Sequence, residues 1–404
     1  MKKSAFINAS LSILGGLLIG LSYSGSMAAI FCFVAFVPML IVAKNSNLSV
    51  TILYAAISSA AALLVQYLSN VSSVTISSAI LQFLIFALPW VFYQLIRFRH
   101  NEKLAYLSFV SSWIFLEWIA AQYFVNWVGL QLGHAAIVFP SMVQLYDFLG
   151  VSAGSIWILA INIHISRIIL PAQTYTGKYA LINGILVLTI PILVSFFWTE
   201  QQKSGSISGK IKNINDKLVL CSDKNEVIYA NEKKNADNIY DSVSDTVQNA
   251  TITYADGKKS AIPAKKIRVG SLGGIKNQYI VVSKFAGQNC GLLNSSSLLR
   301  ADLIRLYAIE NCGLLISYDE GSNVAASIVR SRALENNLDI LVLKKDEAKL
   351  YSKTGGQISL SSNFNIATQK HSFFSLYGDL SGRLSIFVSI WMLLGTIVKP
   401  FRKK

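Results

Sequence analysis

The chain has 404 residues and a formal net charge of +15, and 53% of its residues are hydrophobic. With a mean hydropathy of +0.47 and only 14% charged residues, this composition excludes an ordinary soluble protein and indicates a membrane protein. The basic charge is partly a consequence of where Lys and Arg flank apolar segments, so it gives no indication of nucleic-acid binding.

Recurrent apolar segments are the first pattern along the chain. Crossing a hydrocarbon core about 30 Å thick takes roughly 20 helical residues. Eight segments reach or approach that length: residues 5–23, 27–43, 48–69, 74–96, 104–125, 143–166, 179–198 and 383–398. They predict a helical membrane domain over 1–198, an exported domain over 199–382, and a last span with a basic tail over 383–404.

The positions of Lys and Arg predict the orientation of these spans. With the amino terminus inside and alternating spans, twelve Lys and Arg residues fall inside, and the short outside loops 24–26, 70–73 and 126–142 hold none. This asymmetry predicts cytoplasmic termini and places 199–382 outside the cytoplasm. A cleaved signal peptide ending near Ser26 is the alternative, but another apolar segment follows it at once.

Two polar residues of the membrane domain are candidate binding residues. A carboxylate near the middle of a membrane costs about 2.5–3.5 kcal/mol, so Glu117 should face protein or a water-filled cavity. It is either a residue of a substrate path or a structural acid paired with a neighbouring helix. The glycine-broken segment 126–140 is short for a span and is predicted to be interfacial or re-entrant. Within it, His134 either contacts a lipid headgroup or hydrogen-bonds the loop.

The polar block contains strand-like and helix-like segments in alternation. Short strand-like runs occupy 218–285, and residues 287–335 have the order strand, elbow, helix, strand, polar loop, helix. This order predicts a layered α/β domain. Such a frame commonly holds a nucleophile at the tip of a buried strand, but the residue after the predicted strand 291–293 is Asn294, which is not a nucleophile under ordinary conditions.

The cysteines and histidines define no metal or disulfide framework. Cys221, Cys290 and Cys312 lie in the exported block and allow one disulfide with one cysteine left over. The four histidines are far apart in sequence and no metal-ligand spacing is present. No metal or other cofactor is therefore predicted.

Several segments together resemble the bacterial apolipoprotein N-acyltransferases. They are residues 21–40, Leu116-Glu117-Trp118, the glycine-containing segment 129–134, Phe139-Pro140, residues 150–154, residues 330–335 and Gly378-Asp379. The resemblance implies eight spans in the bacterial inner membrane and a periplasmic nitrilase-like domain, truncated or complete, inserted between the last two spans. It also implies phospholipid and bacterial lipoprotein as partners.

The chemistry that this resemblance implies is acyl transfer in two steps. A cysteine thiolate takes a fatty acyl chain from a phospholipid as a thioester, and the chain then passes to the amine of a lipoprotein's N-terminal cysteine. A glutamate acts as base and a lysine stabilises the oxyanion. These residue types suit the reaction, because a free thiol with a pKa of about 8.5 needs a base or a cation to ionise, and the tetrahedral oxygen needs a donor or a positive charge.

The sequence departs from this family pattern at each catalytic position. Aligning strand with strand puts Asn294 where the family has its nucleophilic cysteine, and Cys290 is expected to precede the strand. The family's Trp-Pro-Glu tripeptide, which carries the base, is absent from 199–285. Lys265 and its neighbour Lys266 are the nearest candidates for the lysine, and a solvated surface position is the alternative for both.

Three hypotheses about function follow. The first is a relative of the acyltransferases with a decayed catalytic centre that binds lipid or lipoprotein or assists a working paralogue. The second is an active N-acyltransferase that uses Cys290 as its nucleophile. The third is a membrane scaffold without a lipid ligand. Loss of a nucleophile removes nearly all covalent turnover, which favours the first.

Overall fold

The structure is a computed structural model. It describes residues 2–23, 27–68, 76–123, 131–170, 177–201, 206–214, 217–222, 227–228, 248–253, 259–272, 275–285, 288–318, 324–343, 347–359, 363–367 and 371–398. The chain has two compact units, which we call the membrane unit (Met1–Leu145, Gly150–Ser195 and Asp379–Lys404) and the sheet unit (Tyr146–Leu149 and Phe196–Gly378). The predicted exported domain, 199–382, falls mostly within the sheet unit, and its side of the membrane stays a prediction.

Helices make up the membrane unit. They are α1 (Lys2–Ser22), α2 (Val37–Lys44), α3 (Leu48–Leu68), α4 (Ile76–Arg99), α5 (Glu102–Tyr123), α6 (Gly133–Ala136), α8 (Val151–Ile169), α9 (Gly177–Gln201, which runs on into the sheet unit) and α13 (Leu380–Val398). Within the described residues, six helical segments are long and apolar enough to cross a membrane, and 380–396 is a shorter apolar helix. The chain is thus a multi-pass helical membrane protein, and the predicted total of eight spans stays a prediction.

Two predicted spans are not continuous helices. The span predicted over 27–43 is a 3-10 helix, Met27–Phe33, followed by a break and then α2. Pro38 lacks an N–H and fits the first turn of α2, but it could not continue a preceding helix. Asn162 of α8 bridges the break, since its Oδ1 accepts from the Phe36 N–H at 2.8 Å and its Nδ2 donates to the Cys32 carbonyl at 2.8 Å.

The span predicted over 143–166 begins later, at Val151, because a short helix, α7 (Tyr146–Leu149), precedes it and belongs to the sheet unit. Gly150 separates the two helices with a φ of 72°, in the left-handed region that favours glycine.

Basic side chains gather the ends of several helices at one end of the membrane unit. Lys44 donates to the Leu170 carbonyl at 2.8 Å and pairs with Glu102 at 3.1 Å. Arg97 donates to the carbonyls of Ala43, at 3.0 Å, and Lys44, at 2.5 Å. Arg99 donates to the carbonyl of Thr396 near the end of α13. Cations beside the carboxyl ends of helices are favourable, because these ends carry partial negative charge. These basic residues therefore stabilise the helix ends that they contact.

The sheet unit contains one mixed sheet. In the described parts of the chain the strands are β1 (Ser206–Ile214), β2 (Lys217–Ser222), β3 (Val227–Ile228), β4 (Gln248–Thr253), β5 (Lys259–Leu272), β6 (Ile275–Phe285), β7 (Gln288–Asn294), β8 (Cys312–Tyr318), β9 (Asp339–Leu343), β10 (Ala348–Tyr351), β11 (Gln357–Ser359) and β12 (Asn363–Ala367). Their order is β11-β10-β9-β8-β7-β6-β5-β4-β3-β2-β1-β12. Only the pairs β7–β8 and β8–β9 are parallel among these strands.

Helices cover one face of the parallel strands. They are α10 (Ala301–Ile309), α11 (Ala326–Glu335) and the short α12 (Phe373–Tyr377), which contacts α10. Side chains from α10 and α11 form one buried cluster with Leu293 of β7, Leu315 of β8 and Ile340 of β9. The crossover from β7 to β8 through α10 is the connection that parallel strands require.

Candidate functional site

The carboxyl ends of β7, β8 and β9 form a common edge. Asn294 is opposite Tyr318, and Tyr318 is opposite Leu343, so the last residues of the three strands are in register. In open α/β sheets, ligands bind in the crevice outside this edge. The loop after β8, with Asp319 and Glu320, lies outside the described residues, as does 344–346 after β9.

Asn294 is the last residue of β7. The chain turns there into a 3-10 helix, Ser295–Leu299, and Arg300 precedes the first turn of α10. A carboxamide offers hydrogen-bond donors and an acceptor but no ionisable nucleophile. The backbone position at the strand tip is therefore occupied by a residue type that can bind but cannot carry an acyl group.

Cys290 lies within β7, not before it, which corrects the prediction from the sequence. Strand pairing already begins at Gln288, opposite Phe285, and Cys290 itself is opposite Ser283 of β6 and Leu314 of β8. Partners from two neighbouring strands therefore extend β7 through a polar segment that local sequence suggested would break it. Four residues of strand, about 13 Å, separate Cys290 from Asn294.

The surroundings of Cys290 favour an inert thiol. Its side chain is 1% exposed, and its Sγ lies 3.8 Å from the Gly291 carbonyl oxygen. Burial, and secondarily the neighbouring Cys312, raise the pKa of Cys290 well above its ordinary value. The pKa of Cys312 is raised to about 12, by burial and then by the charge of Glu310. Neither cause is a cation that would stabilise a thiolate, and both cysteines are free.

Lys265 lies in β5, two strands away from β7. It is opposite Val282, and Val282 is opposite Gly291, so the Lys265 backbone is level with Gly291 and not with Asn294. Strands are spaced about 4.8 Å apart, which puts the β5 backbone about 10 Å from β7. The described backbone thus brings Lys265 closer in register to Cys290 than to the strand tip.

Glu117 accepts three hydrogen bonds inside the membrane unit. Its Oε1 accepts from Trp113 Nε1 and from the Leu132 N–H, each at 2.8 Å, and its Oε2 accepts from Ser155 Oγ at 2.7 Å. Ser155 Oγ in turn accepts from the Gly133 N–H at 2.8 Å. The carboxyl group is fully buried, and both of its oxygens are hydrogen-bonded to donors from α5, from the segment before α6 and from α8.

The structure brings His134 to the segment that Glu117 holds. His134 follows Gly133 in α6, its N–H donates to the Gln131 carbonyl at 3.0 Å, and its side chain is 1% exposed. The side chain of His134 is therefore enclosed by the membrane unit, and its role in binding stays a prediction. Trp127 and the other residues of 124–130 lie outside the described residues.

Two polar contacts were not predicted from the sequence. Arg332 and Glu335 of α11 form an ion pair at 2.5 Å, with both side chains almost wholly buried. Asp379, just before α13, accepts from Ser152 Oγ at 2.6 Å and from the Gly382 N–H at 2.7 Å. The i,i+3 spacing of Arg332 and Glu335 was the available signal for the first pair, whereas the second joins residues 227 positions apart.

These observations define a multi-pass helical membrane protein that carries a mixed-sheet unit with helices on its parallel strands. Comparison with known protein families gives a match: residues 15–164 match the model of the apolipoprotein N-acyltransferase N-terminal domain. The membrane part of the chain, which contains Glu117 and His134, is thus similar to the N-terminal domain of the apolipoprotein N-acyltransferases. No curated protein matches the chain.

Proposed function

We propose that this protein is an N-acyltransferase-like membrane protein that binds phospholipid or lipoprotein without transferring an acyl chain. The observation that supports the proposal most directly is the occupant of the strand tip, where Asn294 ends β7. A carboxamide cannot form the thioester on which transfer from phospholipid to an amine depends.

The surroundings of the nearest described thiol support the same proposal. Covalent turnover through Cys290 would need the thiolate, but burial holds its pKa well above the ordinary value. It would also need room for an ester carbonyl and a tetrahedral oxygen beside the sulfur, whereas the Cys290 side chain is 1% exposed. Both requirements disfavour Cys290 as the nucleophile of an active enzyme.

The membrane part supports retention of a lipid-related role. The family match covers this part, and the buried Glu117 keeps all three of its hydrogen-bond donors. A buried carboxylate that lost its donors would be costly, so the arrangement is consistent with a membrane unit maintained for binding. The proposal also places the protein in the bacterial inner membrane, with the sheet unit on the periplasmic side.

Thioester trapping tests the proposal. The full-length protein is incubated in membranes with a phospholipid carrying an alkyne-tagged acyl chain, and hydroxylamine-sensitive label is measured on the wild type, Cys290→Ser and Cys312→Ser. We expect no such label on any of the three, and no rescue of cells depleted of their N-acyltransferase. Label on the wild type and Cys312→Ser that is lost from Cys290→Ser would establish the active enzyme instead.

Lipid retention separates binding from a scaffold role. Native mass spectrometry of the detergent-purified protein should show bound phospholipid or lipoprotein. The mass of the bound ligand should show that it has neither lost nor gained an acyl chain. A preparation that retains neither, under detergent conditions in which an active N-acyltransferase retains lipid, would support a scaffold without a lipid ligand.

A further inference from the structure

The chain crosses between the two units at four places, and an exposed apolar side chain of the sheet unit lies within three residues of each crossing. The crossings follow Leu145, Leu149, Ser195 and Gly378. Four exposed residues beside them, which we call the aromatic ledge, are Phe148, Trp198, Leu376 and Tyr377. Tyr377 and Leu376 are more than half exposed, at 57% and 52%, and exposed apolar residues that cluster in this way mark an interaction surface.

Contacts within the sheet unit hold the ledge in place. The Phe148 ring stacks on Phe373 with centroids 4.1 Å apart, and Phe373 packs against Tyr377 at 4.5 Å. Trp198 Nε1 donates to Asp147 Oδ2 at 2.8 Å. The ledge thus combines α7, the end of α9 and α12, which are far apart in sequence, into one fixed surface.

Chain length confines the ledge to the neighbourhood of the membrane surface. Val151, the first residue of α8, comes three residues after Phe148, and Leu380, the first residue of α13, comes three residues after Tyr377. Three residues reach at most about 10 Å, and α8 is among the helices able to cross a membrane. Phe148 and Tyr377 therefore lie within about 10 Å of an apolar helix start, where aromatic rings favour the headgroup layer.

A cation stands beside the ledge. Arg305 of α10 donates through Nη1 to the Ser375 carbonyl at 3.3 Å and, more weakly, to the Leu376 carbonyl at 3.5 Å. Its ion pair with Asp302 is long, at 3.9 Å, and the Arg305 side chain is about one-fifth exposed. A guanidinium held beside apolar rings suits a phosphate group that is attached to acyl chains.

We propose that the aromatic ledge and Arg305 bind membrane phospholipid, with the glycerol and upper acyl region against Phe148, Leu376 and Tyr377 and the phosphate against Arg305. The chemistry and the chain continuity with α8 and α13 favour a lipid over a peptide or a second copy of the chain. The inference rests on the proposed function and deepens it, because it names phospholipid as the ligand and the ledge with Arg305 as the binding site.

Photo-crosslinking tests the ledge in the full-length protein in native membranes. p-Benzoyl-phenylalanine replaces Leu376, Tyr377 or, as a control, Ile358, which is 53% exposed on β11 of the same unit. After irradiation, mass spectrometry of the sites should show phospholipid adducts at 376 and 377 at least fivefold above those at 358. Equal yields at all three sites, or adducts at 376 and 377 with protein only, would overturn the proposal.

A charge variant tests the role of Arg305. In the protein with the probe at 377, Arg305→Gln should lower the phospholipid adduct severalfold, because the phosphate loses its cation. Lys349→Gln is the matched control, since Lys349 pairs with Glu347 on an exposed part of the sheet unit, at 2.9 Å. If Arg305→Gln leaves the adduct yield unchanged, the proposed contact between Arg305 and the lipid phosphate is refuted. Neither result depends on thioester formation, so failure of the ledge and failure of the proposed function are distinguishable.

Discussion

Glu117 in the membrane unit and Cys290 in the sheet unit are both almost wholly buried, but their surroundings differ in kind. Glu117 receives donors from three segments of the chain, whereas the raised pKa of Cys290 has burial as its first cause and no cation among its causes. The membrane unit therefore supplies hydrogen-bond donors to the buried carboxyl group of Glu117, whereas the surroundings of Cys290 in the sheet unit favour the neutral thiol. A family's scaffold can persist where its chemistry does not, because packing and reactivity depend on different atoms.

The largest expected effect comes from the sheet unit's own buried charges. Replacing Arg332 by Met leaves the buried Glu335 carboxylate without its guanidinium and should destabilise the sheet unit by about 3–5 kcal/mol. Chemical unfolding of the full-length protein in detergent, followed by protease susceptibility of the sheet unit, measures the loss.

The double variant Arg332→Met/Glu335→Met is the control. It removes both charges, so its stability should lie well above that of the single variant and near that of the wild type. Arg332 Nε and Nη2 have no hydrogen-bond partner in the part of the chain that the structure describes, which lowers the cost of removing the guanidinium together with its acid. Equal losses for the single and double variants would contradict this prediction, because they would show that the ion pair stabilises the sheet unit by well more than its burial costs.

Glu117→Ala is the corresponding test in the membrane unit. It leaves Trp113 Nε1, the Leu132 N–H and Ser155 Oγ without their acceptor, and an orphaned buried donor costs about 1–3 kcal/mol, so a total loss of about 3 kcal/mol is expected. Thermal unfolding in detergent checks it. Glu102→Ala, on the same helix, removes a partly exposed pair with Lys44 and one hydrogen bond from Tyr106 Oη at 2.9 Å, and should cost about 1 kcal/mol. A comparable loss for both variants would contradict the special role of Glu117.

Two glycines sharpen the comparison between the units. A Cβ on Gly133 would come 2.1 Å from the Val151 carbonyl oxygen, which is backbone, whereas one on Gly291 would meet the side chains of Leu315, at 2.4 Å, and Tyr307, at 2.5 Å. Gly133→Ala should cost about 3 kcal/mol and Gly291→Ala about 1–2 kcal/mol, because side chains can move aside more easily than backbone. Gly184→Ala, whose nearest neighbour is 4.0 Å away, should be close to neutral. Thermal unfolding of the three variants ranks them, and the reverse order would refute the argument.

Local sequence predicted those features that depend on local composition. The segment predicted over 48–69 is α3, Leu48–Leu68, because a long apolar run determines both its existence and its length. The break between Phe33 and Val37 was not predicted, since it relies on Asn162, more than a hundred residues away. Cys290 was placed outside β7 for the same reason: its strand partners are Ser283 and Leu314, and pairing with them outweighs the local polar sequence.

The candidate site divides along the same line. Glu117 was selected from its charge within an apolar segment, but its acceptor role requires Ser155, 38 positions later, and the Leu132 N–H. The departure at Asn294 followed from aligning strand with strand, which uses neighbouring residues only. The register that sets Asn294 beside Tyr318 and Leu343 is a property of the assembled sheet.

The smallest expected effect is a pH dependence of the sheet unit. The pKa of Cys312 is raised from its ordinary 9.0 to about 12 in the folded chain, so the unfolded thiol ionises first as the pH rises. Stability from the neutral thiol is fully present below pH 9 and is lost as the pH rises towards 12, with about 1 kcal/mol lost between pH 9 and 10. Chemical unfolding at these two pH values should show a steeper loss for the wild type than for Cys312→Ser, which has no thiol to titrate. Identical losses, or rapid alkylation of Cys312 by iodoacetamide in the folded protein at pH 8, would show that the thiol is accessible to water after all.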